Sequence, residues 1–388
     1  MFGFVSNRRN RTDGDSRPIL GIDASRANCS RRTGIEWYAY HVIERLKGIV
    51  PTDVRVVLYS REPLVEGLEL LPPNWESRVL LWPPGRLWTQ LRLSWEMLVS
   101  PPDVLYVPAH VLPPVRPRRS VTTLHDVAFV TVPDAYSWYG RAFLILFTRL
   151  AVRWADALVT VSEFSKSEIV RLFRADPSKV TVAPLACDPE TFRSDLDPAE
   201  TSRRLACLGI RPPYFLFVGR LERKKNLSLL LEAFSSVRGK LDCRLVLAGK
   251  RGRGFEDESA ALDMRWSDEV VELGYVDPHD LPYLYAGAEA LVFPSRYEGF
   301  GIPILESFAS GTPVVTLRST SIPEVAGEAA IYAESATAEA LAKSMLAVRN
   351  DGELRRRLVS AGLERVRQFS WDKTSLGVWR SIKPFLRH

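Results

Sequence analysis

The sequence predicts an α/β protein built from two doubly wound domains, each with a parallel sheet covered by helices. Short apolar runs alternate with helical segments along most of the chain, which is the pattern of parallel sheets. The chain has 388 residues, more than one typical domain contains. A polar stretch of irregular pattern, residues 188–211, separates two sets of apolar runs and is the predicted linker.

The first set of runs predicts strands because a strand that is buried on both faces is continuously apolar. These strands are Ile19–Asp23, Val54–Tyr59, Asp103–Pro108, Val121–His125 and Ala157–Val161. A helix is expected from about Trp37 to Leu46, after a loop that contains Gly34. Ser165 and Glu168 have the spacing of a capping box, which predicts that another helix starts there.

The second set of runs predicts five more strands, each followed by a helical segment. The strands are Tyr214–Val218, Cys243–Gly249, Val270–Leu273, Ala290–Phe293 and Pro313–Thr316. The predicted helices include Leu227–Phe234, Pro303–Ala309, Glu353–Gln368 and a last helix from Ser370.

The segment Ser295–Glu306 carries the strongest functional signal. A glycine-rich turn at 299–302 precedes a helix, and Pro303 costs little so early in a helix. Backbone N–H groups and a helix N-terminus suit a phosphate. Glu298 and Glu306 would repel a phosphate, so they are expected to accept hydrogen bonds from hydroxyls. Hydroxyls beside phosphates describe a nucleotide sugar, whereas a solvated surface loop is the alternative for this segment taken alone.

A basic loop follows the strand that ends at Val218. Gly219, Arg220 and Lys225 would lie at the carboxyl edge of the sheet, where open α/β sheets bind ligands. Arginine forks onto phosphate oxygens and lysine supplies a point charge. A solvated basic loop is the alternative, and it is the expectation for Arg223 and Lys224.

Both segments resemble the signature of the retaining glycosyltransferases of family 4. The resemblance is almost continuous from Val218 through Trp371, and the subgroup it points to is the bacterial O-antigen mannosyltransferases of the B type. It implies the GT-B fold, with two Rossmann-like domains facing a central cleft and a C-terminal helix that crosses back to the first domain. The implied segments are a disordered basic tail at 1–17, an acceptor domain at 18–187, the linker 188–211, a donor domain at 212–369 and the returning helix 370–388.

The resemblance also implies roles in the second domain. Glu298 would contact the transferred sugar, Glu306 the ribose, and Arg220 with Lys225 the diphosphate, while the backbone at Val276 would face the base. The predicted donor-binding residues are Gly34, Gly219, Arg220, Lys225, Val276, Glu298, Gly299, Phe300, Gly301, Ile302 and Glu306.

In the first domain the resemblance implies three further residues. His125 would lie near the sugar and the reacting centre, and would join Glu298, Arg220 and Lys225 as catalytic residues; a purely structural histidine is the alternative. Asp126 would orient His125 or contact the acceptor. Gly34 would let the backbone approach the diphosphate, although the family more often has two glycines there.

The implied activity is retaining transfer of a hexose, with mannose from GDP-mannose as the best single choice. The acceptor would be a saccharide, expected to be polyprenyl-linked, in the synthesis of a bacterial surface polysaccharide. Front-face attack with the departing phosphate as base is the working hypothesis, without metal or cofactor. The two Asp-x-Asp pairs, Asp13/Asp15 and Asp195/Asp197, lie in polar loop segments and are poor metal candidates.

Other classes of protein remain open. A nucleotide-sugar epimerase, a sugar phosphorylase or a silent nucleotide-sugar-binding subunit would share the architecture. A dinucleotide oxidoreductase is disfavoured because no G-x-G-x-x-G follows the first strand.

The charge is unevenly distributed. Residues 1–187 contain 24 Lys and Arg against 18 Asp and Glu, and residues 188–388 contain 28 of each, so the whole excess of +6 lies in the first half. No nucleic-acid-binding module accompanies it. An anionic membrane surface or a lipid-pyrophosphate acceptor is the expected partner, and a basic surface with no partner is the alternative. The basic aromatic segments Trp138–Trp154 and Arg86–Leu98 would contact the membrane, and ordinary buried domain helices are the alternative for them.

The expected location is the cytoplasm, with association at the inner face of the plasma membrane. The sequence shows no signal-peptide pattern and no apolar run near the ~20 residues that span a bilayer. The four cysteines have no metal spacing and are expected to be buried thiols.

Overall fold

The computed structural model describes residues 16–29, 32–83, 87–240, 242–255 and 269–386, which form two compact units. The first unit takes the described residues of 1–127, 139–185 and 371–388, and the second takes 128–138 and 186–370. The segment Ala128–Trp138 therefore groups with the second unit, although the sequence places it in the first domain. Its Asp134 carboxylate lies 3.3 Å from the Arg296 guanidinium of that second unit.

The first unit contains a parallel sheet of seven strands in the order β3-β2-β1-β4-β5-β6-β7. The strands are β1 Ile19–Asp23, β2 Arg55–Ser60, β3 Trp75–Val79, β4 Val104–Val107, β5 Arg119–Thr123, β6 Ala157–Thr160 and β7 Val180–Val182.

The second unit contains a parallel sheet of six strands in the order β10-β9-β8-β11-β12-β13. The strands are β8 Tyr214–Val218, β9 Arg244–Ala248, β10 Val270–Gly274, β11 Ala290–Phe293, β12 Val314–Thr316 and β13 Ile331–Tyr332.

Helices connect these strands. They are α1 Gly34–Ile49, α2 Ser94–Val99, α3 Ala128–Thr131, α4 Trp138–Trp154, α5 Glu163–Phe173, α6 Pro198–Cys207, α7 Leu227–Val237, α8 Leu281–Ala286, α9 Ile302–Ala309, α10 Ile322–Ala326, α11 Ala338–Asn350, α12 Gly352–Val366 and α13 Trp371–Ile382. A π-helical segment, Trp88–Leu93, leads directly into α2.

The predicted class, two doubly wound parallel-sheet domains, is confirmed, and every predicted strand is present. The sequence missed β3, β7 and β13, which are edge strands of their sheets. The edge position explains the miss for β3, because its alternately buried and exposed residues do not form a continuous apolar run. The other two have only three and two residues.

The predicted capping box at Ser165 is wrong. Helix α5 begins at Glu163, and its N-cap is Ser162, whose hydroxyl accepts the backbone N–H of Ser165 at 3.0 Å. The Ser165 hydroxyl is buried inside the helix and donates to the backbone carbonyl of His125 at 3.3 Å. Ser165 therefore anchors the loop that carries His125.

The last helix returns to the first unit, as the resemblance implied. Helix α13 packs on α1, where the buried Trp371 ring stacks on His41 with ring centroids 4.6 Å apart. The Thr374 hydroxyl donates to the carbonyl of Pro184. Aromatic stacking and a partly buried hydrogen bond therefore hold a segment that is distant in sequence.

No helix in the described part of the chain is both long and apolar enough to cross a bilayer. All four cysteines are free thiols. The expectation that all are buried is wrong for two of them, because Cys207 is exposed and Cys29 is half-buried.

Replacing Trp371 by alanine is expected to destabilise the protein by about 3 kcal/mol, the usual cost of truncating a buried tryptophan. Urea denaturation followed by circular dichroism measures this loss. Leu376→Ala is the control on the same helix, because Leu376 is 40% exposed and should cost less than ~1 kcal/mol. Equal losses in the two variants would show that the aromatic stack does not hold α13.

Candidate functional site

Most of the residues predicted for the donor follow strands of the second sheet. Gly219 comes after β8, Gly249 after β9, Val276 after β10, and the loop 294–301 after β11. Because all these strands are parallel, their carboxyl ends lie at one edge of the sheet, the usual place of ligands in open α/β folds. The structure thus gathers Gly219, Arg220, Lys225, Val276 and the segment 298–302 at one edge.

At this edge Lys225 and Glu298 form an ion pair. The Lys225 Nζ lies 2.6 Å from Glu298 Oε1, and the two side chains are only 11% and 9% exposed. Lys225 Nζ also lies 5.2 Å from the ring centroid of Phe293. A backbone hydrogen bond of 2.9 Å from the N–H of Arg296 to the carbonyl of Lys224 ties the two loops together. The two charges are neutralised by each other, so an arriving anion would compete with Glu298 for Lys225.

Arg220 is held loosely by comparison. Its side chain is 68% exposed, and its Nε is 4.0 Å from the Glu222 carboxylate. A guanidinium in this position can reorient toward a ligand at little cost, since an exposed ion pair contributes only ~0–1 kcal/mol.

Two glycines allow the loop after β8 to pass close to the loop after β9. Gly219 and Gly249 have φ angles of +145° and +154°, a region that side chains rarely adopt. A Cβ on Gly249 would lie 1.9 Å from the carbonyl oxygen of Gly219. The sequence marked Gly249 only as a strand end, since close approach of two backbones leaves no signal in one segment.

The loop between Glu298 and Gly301 is held by hydroxyl side chains that follow β12. Thr320 Oγ1 accepts the backbone N–H of Glu298 at 3.0 Å. The Ser321 hydroxyl donates to the carbonyls of Glu298 and Phe300 at 2.9 and 3.0 Å. Thr320 has a φ of +51°, which is strained for a β-branched residue. Thr320 therefore holds a strained conformation while it positions Glu298, a role that sequence reasoning missed.

Gly301 is the N-cap of α9, with a φ of +108° that favours glycine. Ile302 and Pro303 form the first turn, so the helix N-terminus lies directly beside the Glu298 loop. The first N–H groups of a helix have no partner within the helix and favour an anion there. This part of the predicted anion site has the expected local structure.

Glu306 lies one turn further along α9, and its carboxylate accepts a hydrogen bond of 2.7 Å from the Tyr285 hydroxyl. Burial raises the pKa of Glu306 to about 7, against a lowering effect of that hydrogen bond. Burial, with a smaller contribution from the nearby Glu306 carboxylate, also raises the pKa of Cys187 to about 12. Tyr285 is a partner that the sequence did not indicate, because it lies on the preceding helix, 21 positions before Glu306.

In the first unit His125 lies two residues beyond β5 and is buried. Its Nε2 is 3.2 Å from the carbonyl oxygen of Pro108, which can only accept, so Nε2 carries the proton. Burial lowers the pKa of His125 to about 4, and the neighbouring His110 adds to this effect. The ring is therefore neutral at pH 7, and its Nδ1 is an acceptor.

The loop of His125 is fixed by a second histidine. The backbone N–H of His125 donates to His110 Nε2 at 3.1 Å. Burial lowers the pKa of His110, while the Asp126 carboxylate opposes that lowering. The Asp126 carboxylate also opposes the lowering of the pKa of His125, so Asp126 lies close enough to influence both histidines.

Gly34 is the first residue of α1, and a Cβ there would meet no atom within 4 Å. Packing therefore does not require glycine at this position. The acidic pairs have other roles where they are described: Asp197 caps α6, and Asp195 pairs with Arg193 at 3.4 Å. Asp13 and Asp15 lie outside the described residues. Among the described residues no cluster of three or more histidine, cysteine or acidic side chains is arranged to hold a metal ion.

Comparison with known families agrees with this architecture. The family model described as glycosyl transferases group 1 matches residues 208–365, and the model of glycosyltransferase family 4 matches residues 32–191. The chain is 35% identical over 283 residues to the O-antigen chain mannosyltransferase B of Escherichia coli, covering 70% of this chain and 71% of that protein. The chain belongs to the family 4 glycosyltransferases.

Solved structures show the same fold. Sucrose-phosphate synthase from Thermosynechococcus elongatus superposes with a TM-score of 0.74 at 19% identity, covering 94% of this chain and 98% of that one. HepE of Anabaena, in complex with UDP-glucose, superposes with a TM-score of 0.72 at 17% identity and the same coverage. At such identities the likeness establishes the GT-B fold and no more.

The raised pKa of Glu306 predicts a pH-dependent loss of stability. A carboxyl whose pKa is higher in the folded than in the unfolded protein stabilises the fold at low pH, and this contribution is lost as pH rises from about 4.5 through about 7. Glu306→Gln should remove the loss, so its free energy of unfolding should exceed that of the wild type above pH 7 by at most about 3 kcal/mol. Urea denaturation at pH 5 and pH 8 measures the difference.

Glu328→Gln is the matched control, because the Glu328 side chain is 90% exposed. It should change stability equally at both pH values. If Glu306→Gln and wild type showed the same pH dependence, the Glu306 carboxyl would not be buried in the way described.

Proposed function

We propose that the protein transfers a hexose from a nucleoside-diphosphate sugar to a saccharide acceptor, with retention of configuration and without a metal ion. The observation that carries the proposal is the buried Lys225–Glu298 pair beside the N-terminus of α9. A cation and helix N–H groups suit a diphosphate, and an adjacent carboxylate suits sugar hydroxyls. The UDP-glucose named in the HepE structure supports a nucleotide-sugar donor. The similarity to an O-antigen mannosyltransferase supports mannose, with GDP-mannose as donor.

In this proposal donor binding exchanges the partners of Lys225. The diphosphate takes the place of Glu298 next to the ammonium group, and Glu298 becomes available to accept hydrogen bonds from the sugar. Arg220 turns from its exposed position and binds the same phosphates. The Glu306 carboxylate, in its ionised form, accepts a hydrogen bond from the ribose. The bond between the anomeric carbon and the phosphate oxygen then breaks while Lys225, Arg220 and α9 stabilise the leaving charge.

The first unit would supply the acceptor side. The Nδ1 atom of the neutral His125 can accept a hydrogen bond from a sugar hydroxyl. The ring donates no hydrogen bond to the sugar, because its Nε2–H is bound to the carbonyl of Pro108. The acceptor oxygen attacks the anomeric carbon on the face that the phosphate leaves, and the departing phosphate takes the hydroxyl proton. This front-face route is the proposed origin of retention, and a covalent sugar on Glu298 or Asp126 would contradict it.

A lipid-linked acceptor and work at the inner face of the plasma membrane complete the proposal. Helix α4 contains Arg141, Arg149 and Arg153 but no acidic residue over its 17 residues. Phe143 and Leu146 are exposed on it, and so are Arg149 and Arg153. A helix with apolar and basic exposed side chains suits an anionic lipid surface.

Nucleotide release by the purified protein tests the activity. GDP-, UDP- and dTDP-sugars are offered with and without a lipid-linked saccharide extract. Release from one donor should rise with the extract, and Glu298→Gln should lower kcat/KM by about 100-fold or more. Glu328→Gln should leave it unchanged. Donor conversion without nucleotide release would favour an epimerase, and dependence on inorganic phosphate alone would favour a phosphorylase. Donor binding with no turnover would favour a non-catalytic subunit.

Replacing Lys225 by alanine should raise KM for the donor and lower kcat, because both the ground-state diphosphate and the leaving charge lose a cation. Steady-state kinetics against donor concentration separate the two effects. Lys343→Ala is the control, since Lys343 is 71% exposed and pairs with the exposed Glu334. Unchanged kinetics of Lys225→Ala would remove this residue from the diphosphate site.

A further inference from the structure

A cavity in the first unit is lined by none of the residues that the sequence assigned to the site. Its volume is about 290 Å³, and it lies beyond the carboxyl ends of β1 and β2. It is lined by Ser25, Arg26, Cys29, Thr33, Glu36 and Arg61. This edge of a parallel sheet is the ligand-binding edge, so the cavity is in a position to take part in substrate binding.

The lining has the chemistry of a phosphate site. Arg26 and Arg61 bring two guanidinium groups, while the Ser25 and Thr33 hydroxyls are already bound to the carboxylates of Asp23 and Glu36. The carboxylate of Glu36 is already engaged, since it accepts from the backbone N–H and the hydroxyl of Thr33 and lies 3.6 Å from Arg26. Guanidinium groups bind phosphate oxygens in forked pairs, which makes them suited to a phosphate or pyrophosphate ester.

One residue of the cavity lining, Arg61, packs against the segment that carries an exposed apolar stripe. The Arg61 guanidinium lies 5.5 Å from the ring centroid of Trp88, and that buried ring is fixed by a 2.9 Å hydrogen bond to the carbonyl of Leu80. From Trp88 the chain continues as a helix whose Leu91, Trp95 and Leu98 are 50%, 61% and 37% exposed. Spacings of four and three residues place these side chains on one face. The apolar stripe, Leu91-Trp95-Leu98, runs roughly 10 Å along the helix away from the cavity.

The connectivity of the sheet gives the stripe its orientation. The crossovers β3-α2-β4 and β5-α4-β6 run in the same direction across the sheet, whereas β1-α1-β2 runs in the opposite direction. Because such crossovers are right-handed, α2 and α4 lie on one face and α1, with the packed α13, on the other. The apolar stripe and the arginines of α4 therefore belong to the same face.

We infer that this cavity binds the phosphate group of a lipid-linked acceptor and that the apolar stripe contacts the first part of its lipid tail. The inference rests on the proposed function for the saccharide that the lipid carries, but the site itself follows from the cavity and the stripe. A free sugar phosphate would bind the arginines and would not contact the apolar stripe. A lipid without phosphate would contact the stripe and offer no anion to the arginines.

Calorimetric titration of the full chain with three probes tests the assignment. The probes are farnesyl pyrophosphate, inorganic pyrophosphate and farnesol, and the protein carries Lys225→Ala so that the proposed donor site takes up little pyrophosphate. Farnesyl pyrophosphate should bind at least about tenfold more tightly than either of the other two. Arg26→Gln or Arg61→Gln should lower the affinity for farnesyl pyrophosphate and for inorganic pyrophosphate by about tenfold or more. The double variant Leu91→Ser with Trp95→Ser should lower the affinity for farnesyl pyrophosphate to the affinity for pyrophosphate alone.

Matched controls lie on the opposite face of the sheet. Arg380→Gln and Leu376→Ser change an exposed arginine and an exposed leucine on α13, and both should leave all three affinities unchanged. Equal affinity for farnesyl pyrophosphate and pyrophosphate, or affinities that the cavity and stripe variants do not change, would overturn the inference. Binding as described by a protein that releases no nucleotide from any donor would retain this site and refute the proposed function instead.

Discussion

The parallel arrangement of the strands is the constraint on which the candidate site depends. In a sheet whose strands all run one way, every carboxyl end meets at one edge, so loops that are distant in sequence share a surface. Lys225 and Glu298 are separated by 73 positions, yet their side chains are 2.6 Å apart. The same constraint in the first unit places Arg26, which follows β1, and Arg61, which follows β2, around one cavity.

Local strain and close packing convert this shared edge into a defined geometry. Gly249 permits an approach of two backbones that any side chain would block, and Thr320 adopts a left-handed conformation while it binds the backbone of Glu298. Such conformations persist only where surrounding contacts hold them, and they cluster at functional sites. Here the surrounding contacts include the two hydrogen bonds from Ser321 to the same loop.

Burial, in turn, sets the charges of the groups. It keeps His125 neutral at pH 7 and brings the pKa of Glu306 close to neutrality, whereas Lys225 and Glu298 are buried as a pair and compensate each other. A free buried charge would be costly, so each group is neutral, near neutrality or paired. The proposed exchange at Lys225 follows from this condition, because the diphosphate replaces one negative partner by another.

The sequence by itself determined the fold class, the positions of the buried strands along the chain and the segments that carry Arg220, Lys225, Glu298 and Glu306. These features are local, since apolar runs, glycine turns and helix starts are written in consecutive residues. Only the tertiary structure decided which groups meet: the Lys225–Glu298 pair, the Tyr285–Glu306 hydrogen bond, the Pro108 carbonyl that selects the His125 tautomer, and Thr320 and Ser321 behind the glycine turn. Edge strands such as β3 were not predicted from the sequence, because their burial depends on neighbours from elsewhere in the chain. Partners across a sheet leave no periodic trace in one segment, so their identity becomes visible only when the chain is folded.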